Sequence, residues 1–204
     1  MKLINDGAQS EVYEYDDETV YKKYKKQIAS PIDLDALKIM YYKINQMKRI
    51  MLPIRLEVVD DKILGQYSRY IKPPYIDLSL VSCADFYTWY LEVTEEVKIL
   101  AQFKIRVIDA QARENVVINN SGPYLVDIEG FKYYPLEEES IIEKANCEEI
   151  KYCFLNSLLR DVGAFSVFDQ SLDEALLEIA SFEGTLREYL HFKNTNDYET
   201  IKKK

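Results

Sequence analysis

The chain has 204 residues, 48% hydrophobic and 30% charged, with 6 Gly and 6 Pro, so it can build a core without disulfides or metal and is neither disordered nor fibrous. Lys and Arg number 26 against 35 Asp and Glu, a formal charge of −9, which denies it the cationic field of a nucleic-acid binder and sets it against anionic membranes. A single histidine, His191, near the C-terminus, removes most His-based catalysis, the Ser-His-Asp and Cys-His nucleophile systems and His-rich metal sites among it.

Cys83, Cys147 and Cys153 are odd in number with no close pair, which speaks against a disulfide framework or a zinc site and for a reducing, cytoplasmic setting. Met1 to Gly7 has no apolar signal core, and no run approaches the roughly 18 apolar residues that insertion into a membrane requires.

The N-terminal stretch alternates as strands do. Leu3-Ile4 reads as a first strand, and Gly7-Ala8-Gln9-Ser10 as a bend. Val12, Tyr13 and Tyr15 then lead into an acidic turn at Asp16-Asp17-Glu18, and Thr19, Val20, Tyr21 and Tyr24 return from it. Ser30-Pro31 opens a helix carrying Leu34, Leu37, Ile39, Met40, Ile44 and Met47, with Asp33 and Asp35 at its favourable end. Pro53 stops that segment. Two strands follow, Ile54 to Val59 and Ile63 to Ile71, around a turn at Asp60-Asp61.

Lys72-Pro73-Pro74 is the clearest linker and divides the chain into residues 1–72 and 73–204. Cys83 to Phe103 reads as one long helix with Phe86, Trp89, Tyr90, Val93, Val97 and Leu100 on its apolar face. A second hairpin pairs Val116-Val117-Ile118 with Tyr124-Leu125-Val126. Glu137 to Arg160 and Ser171 to Leu190 read as helices, and the last dozen residues as frayed.

Three polar features carry chemistry. The Gly7–Ser10 bend between strands can bring backbone N–H groups toward phosphates, and Lys22 on the returning strand shares a face with Val20 and Tyr24. The stretch Val107-Ile108-Asp109 through Asn115-Val116 has an apolar lead-in, an Asp, a polar loop and an Asn. In Leu125-Val126-Asp127-Ile128-Glu129-Gly130 an Asp ends a strand, where a carboxylate is costly unless paired or metal-bound.

In this order the three features resemble the protein-kinase-like superfamily, particularly its small bacterial branch near aminoglycoside and choline phosphotransferases, over about residues 3 to 160. The resemblance implies an α+β, two-lobed fold: a small antiparallel β N-lobe with one helix (1–72) and a reduced, mostly helical C-lobe (73–204). It implies an ATP-dependent kinase or phosphotransferase that passes the γ-phosphoryl group to a hydroxyl of a protein or small molecule. ATP would lie under Gly7, Ser10 and Val12, with Lys22 on its phosphates and the backbone near Tyr67 and Tyr70 on its adenine. Magnesium would rest on Asn115 and Asp127, and Asp109 would orient the acceptor.

The chain departs from that pattern. Five residues separate Asp109 from Asn115 where four are usual, so either Asp109 with one inserted residue or Ala110 occupies the catalytic position. The bend has one glycine. The first helix has no glutamate for Lys22, and Asp33 or Asp35 would have to stand in. Glu129 is an extra residue before Gly130, either a second carboxylate at the metal or a surface group. These departures keep open a pseudokinase that binds nucleotide or protein without turnover. A further reading is an interaction protein using Leu172, Leu176, Leu177, Ile179, Phe182 and Leu186 as its interface.

Overall fold

The computed structural model describes residues 1–25, 33–44, 47–60, 62–159 and 171–202, the side chains of residues 113 and 196–202 excepted. The expected helix opening at Ser30-Pro31 and helix end at Arg160 lie outside the described residues.

Five strands, β1 (Lys2–Asp6), β2 (Ser10–Glu14), β3 (Thr19–Tyr24), β4 (Arg55–Val59) and β5 (Lys62–Arg69), form an antiparallel sheet in the order β1-β2-β3-β5-β4. β3 therefore has partners on both sides, with Val12 opposite Lys22 in β2 and Gln66 opposite Lys22 in β5. Gly65 is required where β5 crosses β3. A Cβ there would stand 2.6 Å from the Lys22 carbonyl oxygen and 2.7 Å from the Tyr21 ring.

Helix α1 (Leu34–Lys43) starts at Asp33, whose Oδ1 accepts from the backbone N–H groups of Asp35 and Ala36 at 3.1 and 3.0 Å. It buries Ala36, Leu37 and Met40, and stops earlier than the apolar spacing through Met47 suggests, with Ile44 already extended.

Helix α2 (Cys83–Gln102), capped by Ser82, buries Phe86, Tyr90, Val93, Val97 and Leu100 as its apolar stripe predicts. Short strands β6 (Ile105–Arg106) and β9 (Lys132–Tyr133) pair with each other, as do β7 (Val116–Asn119) and β8 (Gly122–Leu125). The β7–β8 hairpin turns on Gly122 at φ +117°, where a Cβ would also strike the Arg49 guanidinium at 2.6 Å. One core joins the sequence on both sides of Lys72-Pro73-Pro74: Leu37, Met40 and Ile50 cluster with Phe86, Leu100, Leu125 and Phe131.

Helix α3 (Glu139–Tyr152) runs into a π-helical turn, Cys153–Leu158, that buries Cys153, Phe154, Leu155 and Leu158. The expected single helix from Ser171 to Leu190 is instead two. α4 (Leu172–Ser181) starts at Ser171 with a reciprocal cap from Glu174. α5 (Leu186–Lys202) starts with the same device, since Glu188 Oε2 accepts from Thr185 N and Thr185 Oγ1 accepts from Glu188 N.

The α5 backbone stays helical through Lys202, beyond the expected fraying point. Leu176, Ile179 and Leu186 are core residues, so the proposed interface face is spent on packing, and only Leu177 of that set is largely exposed. No helix among the described residues is long and apolar enough to cross a membrane. None of the three cysteines is in a disulfide, and Cys83 and Cys153 are buried.

Candidate functional site

Alternation along β3 sends Tyr21 to one face of the sheet and Val20, Lys22 and Tyr24 to the other. The second face looks into a cavity of about 590 Å³, within the usual range for small-molecule sites. Its walls come from distant stretches: the β1–β2 turn, β3, the end of β5, the loop before β7 and the segment after β8. Gly7, Ser10, Val12, Lys22, Tyr70, Asp109, Asn115 and Asp127 all line it.

The Tyr67 side chain does not line it. It lies in the opposite phase of β5, paired across the sheet with Tyr21, their rings 4.7 Å apart, and with the Arg55 guanidinium 3.6 Å from its centroid. Gln66, Ser68 and Arg69 of the same stretch are the residues at the cavity.

Lys22 is the centre of the site. Its Nζ donates to Asp127 Oδ1 at 3.0 Å and to Glu129 Oε2 at 2.6 Å, contacts spanning 105 and 107 sequence positions. Its side chain is only 13% exposed. Burial pulls the Lys22 ammonium below the ordinary lysine range, and Asp127 pushes it back. The neighbouring lysines of the chain divide their duties. Lys22 points inward and Lys23 is exposed, while Lys25 holds the β1–β2 turn through its ammonium on the Gly7 carbonyl and its N–H on the Gln9 carbonyl.

Neither Asp33 nor Asp35 serves Lys22. Asp33 spends one oxygen on capping α1 and the other on the backbone N–H of Tyr133 at 3.0 Å. Asp35 is exposed in the first turn. The carboxylate with the shorter bond to Lys22 is Glu129, which is 5% exposed and therefore no surface residue.

Asp109 and Ala110 separate cleanly. Asp109 is exposed at the cavity wall with φ +63°, while Ala110 is 1% exposed within the core. The left-handed Asp109 backbone begins a tight loop in which Ala112 N donates to Asp109 O and Asn115 N to Ala112 O.

Asn115 is tied at both ends, its backbone oxygen accepting from Val126 N and its Nδ2 donating to Asp109 O at 2.9 Å. That leaves its side-chain oxygen as the atom suited to a cation. Asn146, fully buried in α3, holds the lead-in: Oδ1 accepts from Val107 N at 2.8 Å, and Nδ2 donates to the carbonyls of Val97 and Ile105, each at 3.0 Å.

A magnesium-bound triphosphate fits these residues. The cavity carries Lys22, Arg69 and Lys132 against Asp109, Glu114, Asp127 and Glu129, so a bare polyanion would meet excess negative charge that a divalent cation offsets. No cluster of three or more His, Cys, Asp or Glu side chains able to hold a metal occurs among the described residues. Magnesium does not need one, since it commonly takes one or two protein oxygens, with water and phosphate for the rest. Two buried polar atoms at the cavity, Tyr24 Oη and Gln66 Oε1, have no hydrogen-bond partner. Burial and then Asp127 hold the Tyr24 phenol well above its ordinary range, so it stays a neutral donor.

Gln66 and Lys25 were missed by sequence reasoning, and Glu129 was weighed only as a metal carboxylate or a surface group, not as a partner of Lys22. Strand phase relative to Lys22 could have found Gln66.

The chain matches no protein-family model and no curated protein. Among solved structures it is similar to a chain in the CAK complex from Chaetomium thermophilum bound to ATP-gamma-S, at 18% identity and a TM-score of 0.46. The likeness covers 66% of this chain and 47% of that one, so this chain spans about half of its neighbour's length. At that level it bears on neither activity nor residue roles.

Proposed function

We propose that this chain is an ATP-dependent phosphotransferase that passes a phosphoryl group to a hydroxyl, its nucleotide held between an N-terminal lobe (1–72) and a C-terminal lobe (73–204). The observation that carries the reading is the meeting of Lys22 and Asp127 at 3.0 Å in the wall of a cavity that Asp109 and Asn115 also line. Phosphoryl transfer asks mostly for positioning and charge neutralisation, and those are the groups present.

Lys22, desolvated and cationic, donates to phosphate oxygens. The Gly7–Ser10 turn covers them from above, and the backbone around Tyr70 borders the base. Asn115 Oδ1 and the Asp127 carboxylate are the oxygens for Mg²⁺, which when bound neutralises charge on the phosphates. Asp109, exposed and fixed by its loop, accepts a hydrogen bond from the acceptor hydroxyl and takes up its proton. The acceptor is a protein or a small molecule.

One observation favours a second reading, a pseudokinase. In this structure Lys22 already has two carboxylate partners, one of them the metal-binding candidate, so the site is self-compensated without nucleotide.

ATP with Mg²⁺ should raise the melting temperature of the wild type; Lys22→Ala should remove that shift, and Asp127→Ala should remove the part of it that Mg²⁺ brings. Phosphate transfer or ATP hydrolysis that disappears in Asp109→Asn supports the phosphotransferase. Binding without turnover supports the pseudokinase, and no shift in the wild type ends both.

A further inference from the structure

Lys22 is a buried cation, and its aim must come from acidic partners. Helix α1 supplies none. The partners come from the segment after β8, and the two are not equivalent. Asp127 is 38% exposed and gives Lys22 one oxygen.

Glu129 is 5% exposed and engaged at both oxygens: Oε2 accepts from Lys22 at 2.6 Å, and Oε1 accepts from Gln66 Nε2 at 3.1 Å. Gln66 is 1% exposed and sits directly opposite Lys22 in the β3–β5 ladder. The segment itself is anchored on either side of Glu129, with Ile128 and Phe131 each 1% exposed in the core.

We infer that Glu129, oriented by Gln66, is the positioning residue for Lys22, and that it does so without α1. This rests on the phosphotransferase reading, and it divides the labour between the two acids. When Asp127 turns to a cation, Glu129 still holds Lys22 in place. A metal-ligand role for Glu129 runs against the geometry, because both of its oxygens already face donors.

The test compares ATP affinity by calorimetry with EDTA and with Mg²⁺, so that binding to Lys22 is read apart from binding to metal. Glu129→Asp keeps the charge and shortens the reach. It should weaken metal-free ATP binding about tenfold while keeping the gain that Mg²⁺ brings. Asp127→Asn should do the reverse, holding metal-free affinity within about twofold and losing the magnesium gain. Gln66→Met, which leaves Glu129 charged but unoriented, should weaken metal-free binding about threefold, and it decides the matter if Glu129→Asp does not fold.

Unchanged metal-free affinity in Glu129→Asp, or in Gln66→Met where that variant is the one that folds, overturns the positioning role. Loss of only the magnesium gain in Glu129→Asp makes Glu129 a metal ligand and overturns it too. A wild type that binds no nucleotide under either condition ends the phosphotransferase reading and this role with it, an outcome distinct from the first two.

Discussion

Replacing Asn146 by alanine tests whether the Asp109 loop is held from the distant helix α3. The side chain is fully buried and makes three hydrogen bonds, to Val107 N, Val97 O and Ile105 O. In Asn146→Ala the Val107 N–H becomes a buried orphan, costing about 1–3 kcal/mol, and the two carbonyls each lose a net bond of about 0.5–1.5 kcal/mol. The sum is about 2–6 kcal/mol.

Urea unfolding followed by the fluorescence of Trp89, the only tryptophan, reads it directly. With an m-value of about 2 kcal/mol/M, the midpoint should fall by roughly 2 M at unchanged slope. If folded Asn146→Ala retains nucleotide binding, its turnover should fall by more than its affinity, because Val107 leads into Asp109 whereas Lys22 sits on β3. A midpoint shift under about 0.3 M would refute the reasoning, since water or a neighbour would then be satisfying Val107.

Three further perturbations probe the frame. Glu96 lies in the core boundary and accepts from the backbone N–H groups of Arg49 and Ile50, and burial raises its carboxyl above the ordinary value. A raised folded-state pKa means the native state holds the proton longer, so Glu96 lowers stability as pH climbs from about 4.3, the unfolded value, to its folded value. Denaturant titrations across pH 4–8 should therefore show wild type losing ground to Glu96→Gln over that window, and the opposite slope would contradict the assignment.

Asp33→Ala removes the α1 cap, worth about 1 kcal/mol, and orphans Tyr133 N for about 1–3 more, whereas Asp33→Asn keeps the cap alone. Chemical denaturation should place Asn between Ala and wild type. Gly65→Ala pushes a methyl into the Lys22 carbonyl and should cost about 1–3 kcal/mol in chemical denaturation. A neutral effect would mean β5 can shift away from β3 freely.

Local signals placed much of the fold. The N-terminal hairpin, α2 and the β7–β8 hairpin appear close to their expected bounds, because each combines strong periodicity with a clear turn or cap. Alternation also placed Val20, Lys22 and Tyr24 on one face. What failed depended on information outside the window.

A strand's period does not say which phase faces inward; the Gln66–Lys22 register puts the Gln66 side chain at the cavity and the Tyr67 side chain on the other face. Glu129 could not be matched with Lys22 across 107 positions by any local pattern. Asp33 looked like a spare acid because its Tyr133 partner lies 100 positions away. The break between α4 and α5 was different, since Thr185-Leu186-Arg187-Glu188 is a capping box written in the sequence, and continuous apolar spacing across it hid the signal.

The central place of β3 carries a cost in how the chain can change. Hydrogen-bonded on both flanks, that strand can accept many residue swaps, but it cannot absorb the insertion or deletion of a single residue between Thr19 and Lys22. Such a length change would turn the ammonium to the opposite face of the sheet and drive a tyrosine ring into the cavity. Variation in length should therefore collect in the acidic turn at Asp16–Glu18, outside the ladder.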